Sequence, residues 1–339
     1  MADDGDTPRD DEVTAAADAP AFRAALEVAC PGREPATVEH LGRGNRKLTR
    51  LVSFESGGSV VVQLAPTGDR AVAGAGGRTG LRAEALVLRA VRERTDVPVP
   101  AVLADGTVDG TDYLVTERAD GEDLHEHFAG LDGDAQRRLA RTFGRHLGAV
   151  HDAFSFEGYG PLDAVDGTLE PREAAWEEWF VSYGRAAVGR LPPAFDDLRD
   201  GLEELLAALP LDPDPPATLF PWDFRPGNAL FHEGELTAVL DWERPLSAAP
   251  ALSVAKAEYL VADWYVDDPA PLRAAFRAGY GSLRPVPDIR PGHRAVAVAA
   301  SAVDTAGVVT RPSFPERDRE GAVTFHRRVL ERVLDGTPD

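Results

Sequence analysis

Three oxygen-bearing side chains, Asp223, Asn228 and Asp241, lie at informative spacings within one polar stretch of the sequence. Asp223 and Asn228 share a segment that contains proline and glycine, which favour a loop. Carboxylate and amide oxygens are the ligands that hard divalent cations prefer. A carboxylate that binds no cation can instead accept a proton from a hydroxyl group. The residue types therefore indicate a cation site beside a general base.

Two short apolar runs, Ala229–Phe231 and Leu236–Leu240, indicate how these side chains meet. The turn sequence His232–Glu235 lies between them, so the segment predicts a β-hairpin. The hairpin would place Asn228 and Asp241 on opposing strands, with their Cβ atoms about 5 Å apart. At that separation one cation can bind both side chains, which leaves the aspartate at the head of the loop to accept a proton.

The residue pattern of this stretch resembles the catalytic loop and the magnesium-binding aspartate of the protein-kinase-like fold. The segments Asp223–Asn228 (Asp-Phe-Arg-Pro-Gly-Asn) and Val239–Glu243 (Val-Leu-Asp-Trp-Glu) are most similar to the aminoglycoside phosphotransferase and choline kinase-like family. That family usually reads His-Gly-Asp-x-x-x-x-Asn and Ile-Asp-Trp-Glu. Here Pro221 and Trp222 replace the His-Gly pair. The resemblance covers about residues 35–310.

The resemblance implies an α+β, two-lobed protein-kinase-like fold, with a small antiparallel-sheet N-lobe and a larger, mainly helical C-lobe. Under this interpretation residues 1–16 form a disordered acidic tail, residues 17–119 the N-lobe and residues 120–335 the C-lobe. The N-lobe would hold the nucleotide-covering sheet, and the C-lobe the catalytic loop, the metal site and the substrate helices.

Three apolar runs near the N-terminus, Val38–Leu41, Leu48–Phe54 and Val60–Leu64, predict strands, with a glycine-containing turn after the first. Such a turn can direct backbone N–H groups at phosphate oxygens. By resemblance it is the loop that covers the nucleotide, and its residues nearest the phosphates would be Gly44, Asn45 and Arg46.

Gln63 occupies the position on the third strand where the family carries a lysine or arginine for the α- and β-phosphates. Because glutamine is uncharged, three interpretations stay open: Arg46 or Lys47 supplies the charge, nucleotide binding is weaker, or the register differs by one residue. Glu84, on the predicted helix Gly80–Thr95, matches the glutamate that pairs with the family's lysine. Without that partner, a solvated helix glutamate explains Glu84 equally well.

The segment from Glu117 to Ala119 resembles the hinge of the kinase-like fold, whose backbone groups bind the edge of the adenine ring. An ordinary sheet edge that runs into a helix predicts the same residues. The nucleotide-binding role of this segment is therefore implied by the resemblance alone.

Helical spacing dominates the following part of the chain. Ala135–Phe154 predicts a core helix that ends near His151, which we interpret as a hydrogen-bonded core histidine rather than a ligand. The aromatic-rich segment Pro171–Arg190 predicts another helix, with its aromatic face in the core rather than in a pocket wall.

The resemblance implies a phosphotransferase that moves the γ-phosphate of ATP or GTP to a hydroxyl group of a small molecule. Asp223 would orient and deprotonate the acceptor, and Asn228 and Asp241 would hold Mg²⁺. Arg225 would meet negative charge that develops on the phosphate, or would brace Asp241. The sequence does not select ATP over GTP, a particular acceptor, or an oligomeric state.

Two other classes of function remain open. A catalytically weak or inactive, pseudokinase-like nucleotide-binding protein is favoured by Gln63, by the Pro221-Trp222 replacement, and by Ala249 and Ser253, which stand where the family has two acids. A metal-dependent hydrolase that uses the two aspartates as a metal pair is the third possibility. It ranks last because the loop lacks the histidine ligands that such sites usually carry.

The amino-acid composition limits the environment and the partners that we expect for this protein. The net charge is −21, and lysine occurs only at Lys47 and Lys256. The acidic residues are spread along the chain, which is typical of proteins from salt-loving prokaryotes, where salt screens the repulsion. The alternative explanation of the acidic residues is that they form a surface that binds a basic partner. Nucleic-acid binding is disfavoured in both cases because it requires a basic surface.

Further features limit location and partners. The single cysteine, Cys30, excludes an internal disulfide and a cysteine-based zinc site. The acidic N-terminus lacks the apolar core of a signal peptide, and no apolar run has membrane-spanning length, so we expect a cytoplasmic protein that does not insert in a membrane. The acidic and aromatic segment Asp263–Asp268 favours an amine- or sugar-bearing acceptor, and a salt-adapted surface turn is the alternative.

Overall fold

The computed structural model describes residues 20–41, 47–65, 80–210, 212–304, 307–310 and 314–336. The chain divides into two compact units, one of residues 1–89 and 100–119 and the other of residues 90–99 and 120–339. The predicted acidic tail and the predicted phosphate-binding residues Gly44, Asn45 and Arg46 lie outside the described residues.

The first unit contains an antiparallel sheet in the order β1-β2-β3-β5-β4. Its strands are β1 (Pro35–His40), β2 (Leu48–Phe54), β3 (Ser59–Leu64), β4 (Val102–Val108) and β5 (Thr111–Glu117). Successive side chains of a strand point to opposite faces. Val52, Phe54 and Val62 therefore share one face, which packs in a core with helix α1 (Pro20–Ala29).

Helix α2 (Leu81–Arg94) confirms the predicted helix to within one residue at each end. Its apolar residues recur at helical spacing, and Leu81, Leu88 and Val91 are buried. Glu84 lies in the first turn of this helix, on the buried side.

The second unit combines helices with two small sheets, ordered β11-β10-β6 and β8-β7-β12-β9. Its strands are β6 (Glu122–Asp123), β7 (Tyr159–Val165), β8 (Thr168–Glu173), β9 (Thr218–Pro221), β10 (Ala229–His232), β11 (Glu235–Val239) and β12 (Pro245–Ala248). Its helices are α3 (Leu124–His127), α4 (Gly133–Ala153), α5 (Trp176–Arg190), α6 (Asp196–Ala208), α7 (Pro250–Glu258), α8 (Ala270–Tyr280), α9 (Pro291–Ala302) and α10 (Arg319–Leu334).

The predicted helix Pro171–Arg190 is wrong in its first residues. Helix α5 begins only at Trp176, and the residues before it form strand β8, which pairs antiparallel with β7. Asp166 and Gly167 form the connecting turn with φ values of 46° and 84°. Two adjacent residues with positive φ make the tight turn whose twist matches a hairpin, and Asp-Gly is a preferred pair there.

A very close crossing of α4 and α8 supports the loop that follows β9. A Cβ atom on Gly144 of α4 would collide with the carbonyl oxygen of Phe276, and one on Gly279 of α8 would collide with that of Arg141. The two backbones are therefore in direct contact. Next to Gly144, Phe143 packs edge-on against Phe224, with ring centroids 5.4 Å apart.

His151 is a core histidine, as predicted. Its Nδ1 lies 2.9 Å from the Tyr280 hydroxyl and its Nε2 lies 2.9 Å from the Ser253 hydroxyl. Burial, together with the charge of Arg284, lowers the pKa of His151 to about 3. The imidazole is therefore neutral in the folded protein at every pH where the protein is expected to work.

We expect Gly144→Ala to lower the free energy of unfolding by about 1–3 kcal/mol, because the added methyl group meets a backbone carbonyl that cannot rotate away. Chemical denaturation measures this change. Gly189→Ala on α5 is the matched control, since a Cβ atom there meets nothing within 4 Å. The control should be neutral or slightly stabilising because alanine favours a helix. Equal costs for the two variants would contradict the close crossing.

We expect stability to fall with decreasing pH partly through His151. Between pH 6.5 and the folded-state pKa of about 3, the unfolded chain binds a proton that the folded chain does not. This one group then removes about 1.4 kcal/mol per pH unit. The cost of His151→Gln should thus be full at pH 7 and should shrink toward pH 4.5. Exposed His232→Gln is the control, and a pH-independent cost of His151→Gln would contradict the assignment.

Candidate active site

The loop between β9 and β10 carries Asp223, Arg225 and Asn228, and Asp241 follows β11. Asp223 lies just after β9, and a short 3₁₀ turn, Pro226–Asn228, leads into β10. Strands β10 and β11 pair antiparallel, which confirms the predicted hairpin.

The register of the hairpin differs from the prediction by one residue. An irregularity between Leu230 and Phe231 shifts the pairing, and the backbone N–H of Leu240 donates to the carbonyl oxygen of Asn228 at 2.7 Å. Asn228 therefore lies opposite Leu240, and Asp241 lies one residue beyond. Asp241 has a φ of 61°, a left-handed conformation that aspartate tolerates better than most residues.

The structure brings Asp223, Arg225 and Asn228 together. Arg225 Nε donates to Asp223 Oδ1 at 2.8 Å, and Asn228 Nδ2 donates to Asp223 Oδ2 at 2.9 Å and to its carbonyl oxygen at 2.9 Å. The Asp223 side chain keeps 22% of its surface exposed. Burial raises the pKa of its carboxyl, but the charges of Arg225 and Lys256 and these hydrogen bonds outweigh it, so the pKa lies below its ordinary value.

Arg225 is fixed on several sides. Its guanidinium carbon lies 5.1 Å from the centroid of the Trp264 ring, and a Cβ atom on Gly227 would collide with the guanidinium. Glycine at position 227 therefore makes room for this side chain. Of the two sequence-based roles for Arg225, bracing a carboxylate is the one seen, although the carboxylate is that of Asp223. The charge of Asp241 also raises the pKa of Arg225.

Glu84 is not a solvated helix residue. Its carboxylate accepts from Lys47 Nζ at 3.0 and 3.3 Å, and only 4% of its side-chain surface is exposed. Lys47 stands immediately before β2, in which Thr49 pairs with Gln63 of β3. The ion pair that the kinase-like fold builds from the third strand is thus formed here from the entrance to the second. Lys47 thus brings a positive charge to the entrance of β2, the strand that pairs with the one carrying Gln63.

One backbone group of the predicted hinge is already hydrogen-bonded within the sheet. The backbone N–H of Glu117 donates to the carbonyl oxygen of Ala101 at 2.9 Å, so it is not available to a nucleotide base. This happens because Glu117 is still part of β5. Ala119 lies beyond the strand and is half-buried.

Only the first half of the acidic segment Asp263–Asp268 is closed, since Asp267 and Asp268 are exposed. Asp263 is buried and accepts from Arg273 Nε at 3.1 Å, and the neighbouring aromatic residues Trp264 and Tyr265 are also buried. Arg273 therefore neutralises the first of the three carboxylates that were expected to attract an amine. The prediction of an amine- or sugar-bearing acceptor then depends on Asp267 and Asp268.

Lys256 is a site residue that the sequence interpretation missed. It lies on α7 with 2% of its surface exposed, and its Nζ donates to Ser301 Oγ at 2.7 Å. Its Nζ is also 4.2 Å from the centroid of the Trp222 ring. Burial lowers the pKa of Lys256 to about 7, although the charge of Asp223 opposes the shift. The signal that could have found it is composition, because lysine occurs only here and at Lys47.

The donor set fits a hard cation. Among the described residues, no group of three or more histidine, cysteine, aspartate or glutamate side chains is placed to hold a metal. A cation here would therefore need the amide of Asn228. Since the amide nitrogen of Asn228 donates to Asp223, its oxygen is on the opposite side and can bind a cation. Asp241 is exposed and adjoins Asn228 along the hairpin.

Solved structures share the fold of this chain. One is the aminoglycoside phosphotransferase APH(4)-Ia, in a ternary complex of a thermostable mutant with AMP-PNP and hygromycin B, at 14% identity and a TM-score of 0.59, covering 94% of this chain and 99% of that one. Another is a candidate fructosamine-3-kinase from Thermobifida fusca, at 23% identity and a TM-score of 0.56, covering 91% and 98%. The predicted α+β, protein-kinase-like fold is confirmed.

One curated relative matches over a shorter region. The probable acyl-CoA dehydrogenase IBR3 of Arabidopsis thaliana is 26% identical over 221 residues, which are 61% of this chain. This chain spans about a quarter of the length of that relative, 26%. None of the helices in the described residues is both long and apolar enough to cross a membrane.

A match to a family model shows which protein family this chain belongs to. Residues 37–296, well over half of the chain, match the model of the phosphotransferase enzyme family, and they include the loop after β9 and the hairpin β10–β11. The resemblance seen in the sequence is therefore confirmed, and this chain belongs to the phosphotransferase enzyme family.

Proposed function

We propose that this protein is a small-molecule kinase, which moves the γ-phosphate of ATP or GTP to a hydroxyl group of its acceptor. The observation that carries the proposal is the Asp223 carboxylate, held by Arg225 and Asn228 in the loop where the family places its catalytic machinery. The AMP-PNP and hygromycin B bound to APH(4)-Ia support a nucleotide donor and a small-molecule acceptor.

Asp223 would act as the proton acceptor. A carboxylate has about four lone-pair sites, and Arg225 and Asn228 each use one, so capacity remains for a hydrogen bond from the acceptor hydroxyl. Because the pKa of Asp223 is low, it would orient the hydroxyl first and take the proton as the new O–P bond forms. The bond from the γ-phosphorus to the bridging oxygen breaks in the same transfer, and the nucleoside diphosphate leaves.

Asn228 and Asp241 would hold Mg²⁺, since their oxygens are the type of ligand that this ion prefers. When bound, the ion neutralises negative charge on the phosphate groups. Arg225 is a positioning residue in this proposal, because it fixes one carboxylate oxygen of Asp223.

Lys47 would take the phosphate-binding role that the family usually gives to the third strand, with Glu84 fixing its ammonium group. This pair weakens the alternative of an inactive nucleotide-binding protein, which rested partly on the missing charge at Gln63. Ser253 stands where the family has an acidic residue, and its hydroxyl lies within hydrogen-bonding distance of His151. A polar contact is therefore kept at this position.

We expect Asp223→Asn to lower kcat by about 10²–10⁴-fold, because the amide keeps the shape but cannot accept the proton. Nucleotide binding should survive in Asp223→Asn and should fail in Asp241→Ala, which removes a magnesium ligand. The release of nucleoside diphosphate, measured over a library of hydroxyl compounds, gives kcat. A thermal shift with Mg-nucleotide measures nucleotide binding. Glu233→Gln in the hairpin turn is the control. Transfer that persists in Asp223→Asn would refute the proton-acceptor role.

We expect Lys47→Met to raise the KM for nucleotide about tenfold or more, since a charged contact with phosphate is lost. Glu84→Gln should raise it less, and the double variant should be no worse than Lys47→Met, because the two residues act as one unit. Gln63→Ala is the comparison and should change the KM little. A larger effect at Gln63 than at Lys47 would contradict the assignment.

A further inference from the structure

Positive charge collects around the ring of Trp222, directly before Asp223 in the chain. On this ring lie Lys256 Nζ, 4.2 Å from the centroid, and the guanidinium carbon of Arg244, 5.0 Å from it. Trp222 Nε1 donates to the Tyr183 hydroxyl at 2.8 Å, which fixes the ring. The arrangement places two cations on one aromatic ring, next to the proposed proton acceptor.

Arg190, at the end of α5, lies two helical turns after Tyr183 and on the same face of that helix as this residue, which holds the Trp222 ring. The charges of Arg190 and Arg244 both act on Lys256, adding to the burial that lowers its pKa. Both also lower the pKa of Tyr183, which burial raises. We call Arg190, Arg244 and Lys256 together the Trp222 cation cluster.

The cluster is unusual for this protein. The chain has 57 acidic and 36 basic side chains, so a cation should meet a carboxylate easily. Yet none of the salt bridges among the described residues involves Arg190, Arg244 or Lys256, and although the charge of Asp223 acts on Lys256, the one hydrogen bond seen for Lys256 goes to the neutral Ser301. Cations held together repel one another unless an anion lies among them. Arg190 and Arg244 are exposed, so a ligand can reach them.

We propose that the acceptor carries an anionic group, a carboxylate or a phosphate, that binds to Arg190 and Arg244 beside the Trp222 ring while its hydroxyl reaches Asp223. This inference rests on the proposed function and names its substrate class. Arginine suits the role because its planar fork binds carboxylate and phosphate with two hydrogen bonds. Lys256, buried beneath the ring, adds positive potential without having to touch the ligand.

The test compares acceptors that differ in charge, with the full chain and saturating Mg-nucleotide at fixed ionic strength. The carboxylate pair is 3-hydroxybutyrate and its neutral ethyl ester, the phosphate pair is glycerol 3-phosphate and glycerol, and choline is the cationic probe. Nucleoside diphosphate release gives kcat and KM, and calorimetry gives binding of each probe without turnover. The variants are Arg190→Gln, Arg244→Gln and Lys256→Met. Arg185→Gln, exposed on the same helix as Arg190, is the control.

We expect an anionic acceptor to be used or bound in preference to its neutral counterpart, and the preferred pair distinguishes a carboxylate from a phosphate. Each cluster variant should raise its KM or Kd about tenfold, with the KM for nucleotide unchanged. Lys256→Met should fold, because the Ser301 hydroxyl keeps its hydrogen bond to the carbonyl oxygen of Ala297. Arg185→Gln should have no effect.

Other outcomes separate the two proposals. Transfer to the neutral or cationic probes with no effect of the variants, or variants that change only the nucleotide KM, overturns the anionic acceptor and leaves the kinase activity standing. Absence of turnover, with charge-dependent probe binding that the variants abolish, supports the anion site and refutes the proposed activity. Absence of both turnover and probe binding overturns the inference.

Discussion

The carboxylate of Asp223 is the group around which the loop after β9 is arranged. A carboxylate that loses much of its water needs charged or hydrogen-bonding partners, or it binds a proton instead. Arg225 and Asn228 supply those partners within five residues of chain. The need to hold Arg225 against Asp223 also explains the glycine at position 227, since a side chain there would occupy the place of the Arg225 guanidinium. Thus one partly buried charge accounts for Arg225, Gly227 and Asn228.

Both lysines of this acidic protein lie at positions that the proposed chemistry uses. Both lysines have little exposed surface: Lys47 pairs with Glu84, and Lys256 lies on the Trp222 ring with its charge acting on Asp223. A strongly negative chain repels nucleotides and other anions at a distance. Local groups of cations would offset that repulsion at the proposed phosphate and acceptor sites. The departures of this chain from its family, at Gln63 and Trp222, coincide with these groups.

Local sequence patterns predicted the elements whose contacts are short in sequence. The hairpin β10–β11 and the helix α2 follow from alternation, turn residues and helical spacing. Errors arose where a local pattern had two explanations. The spacing of aromatic residues in α5 extended the predicted helix backward over a strand, although the Asp166-Gly167 pair is itself a hairpin signal. The hairpin turns at Glu233-Gly234, two residues short of the predicted pairing, and the extra residue Thr237 in β11 recovers only one of them, so Asp241 lies one residue beyond Asn228. An extra residue in one strand leaves no clear trace in composition.

The sequence by itself determined the loop, the hairpin and the chemical types of Asp223, Asn228 and Asp241, because neighbouring residues and short-range spacing specify them. Only the tertiary structure decided how the charges are partnered. Lys47 meets Glu84 across 37 residues, and Lys256 meets Trp222 from a helix that follows the hairpin. The physical reason is that an ion pair or a cation on an aromatic ring depends on distance and burial, and packing of separate elements sets both.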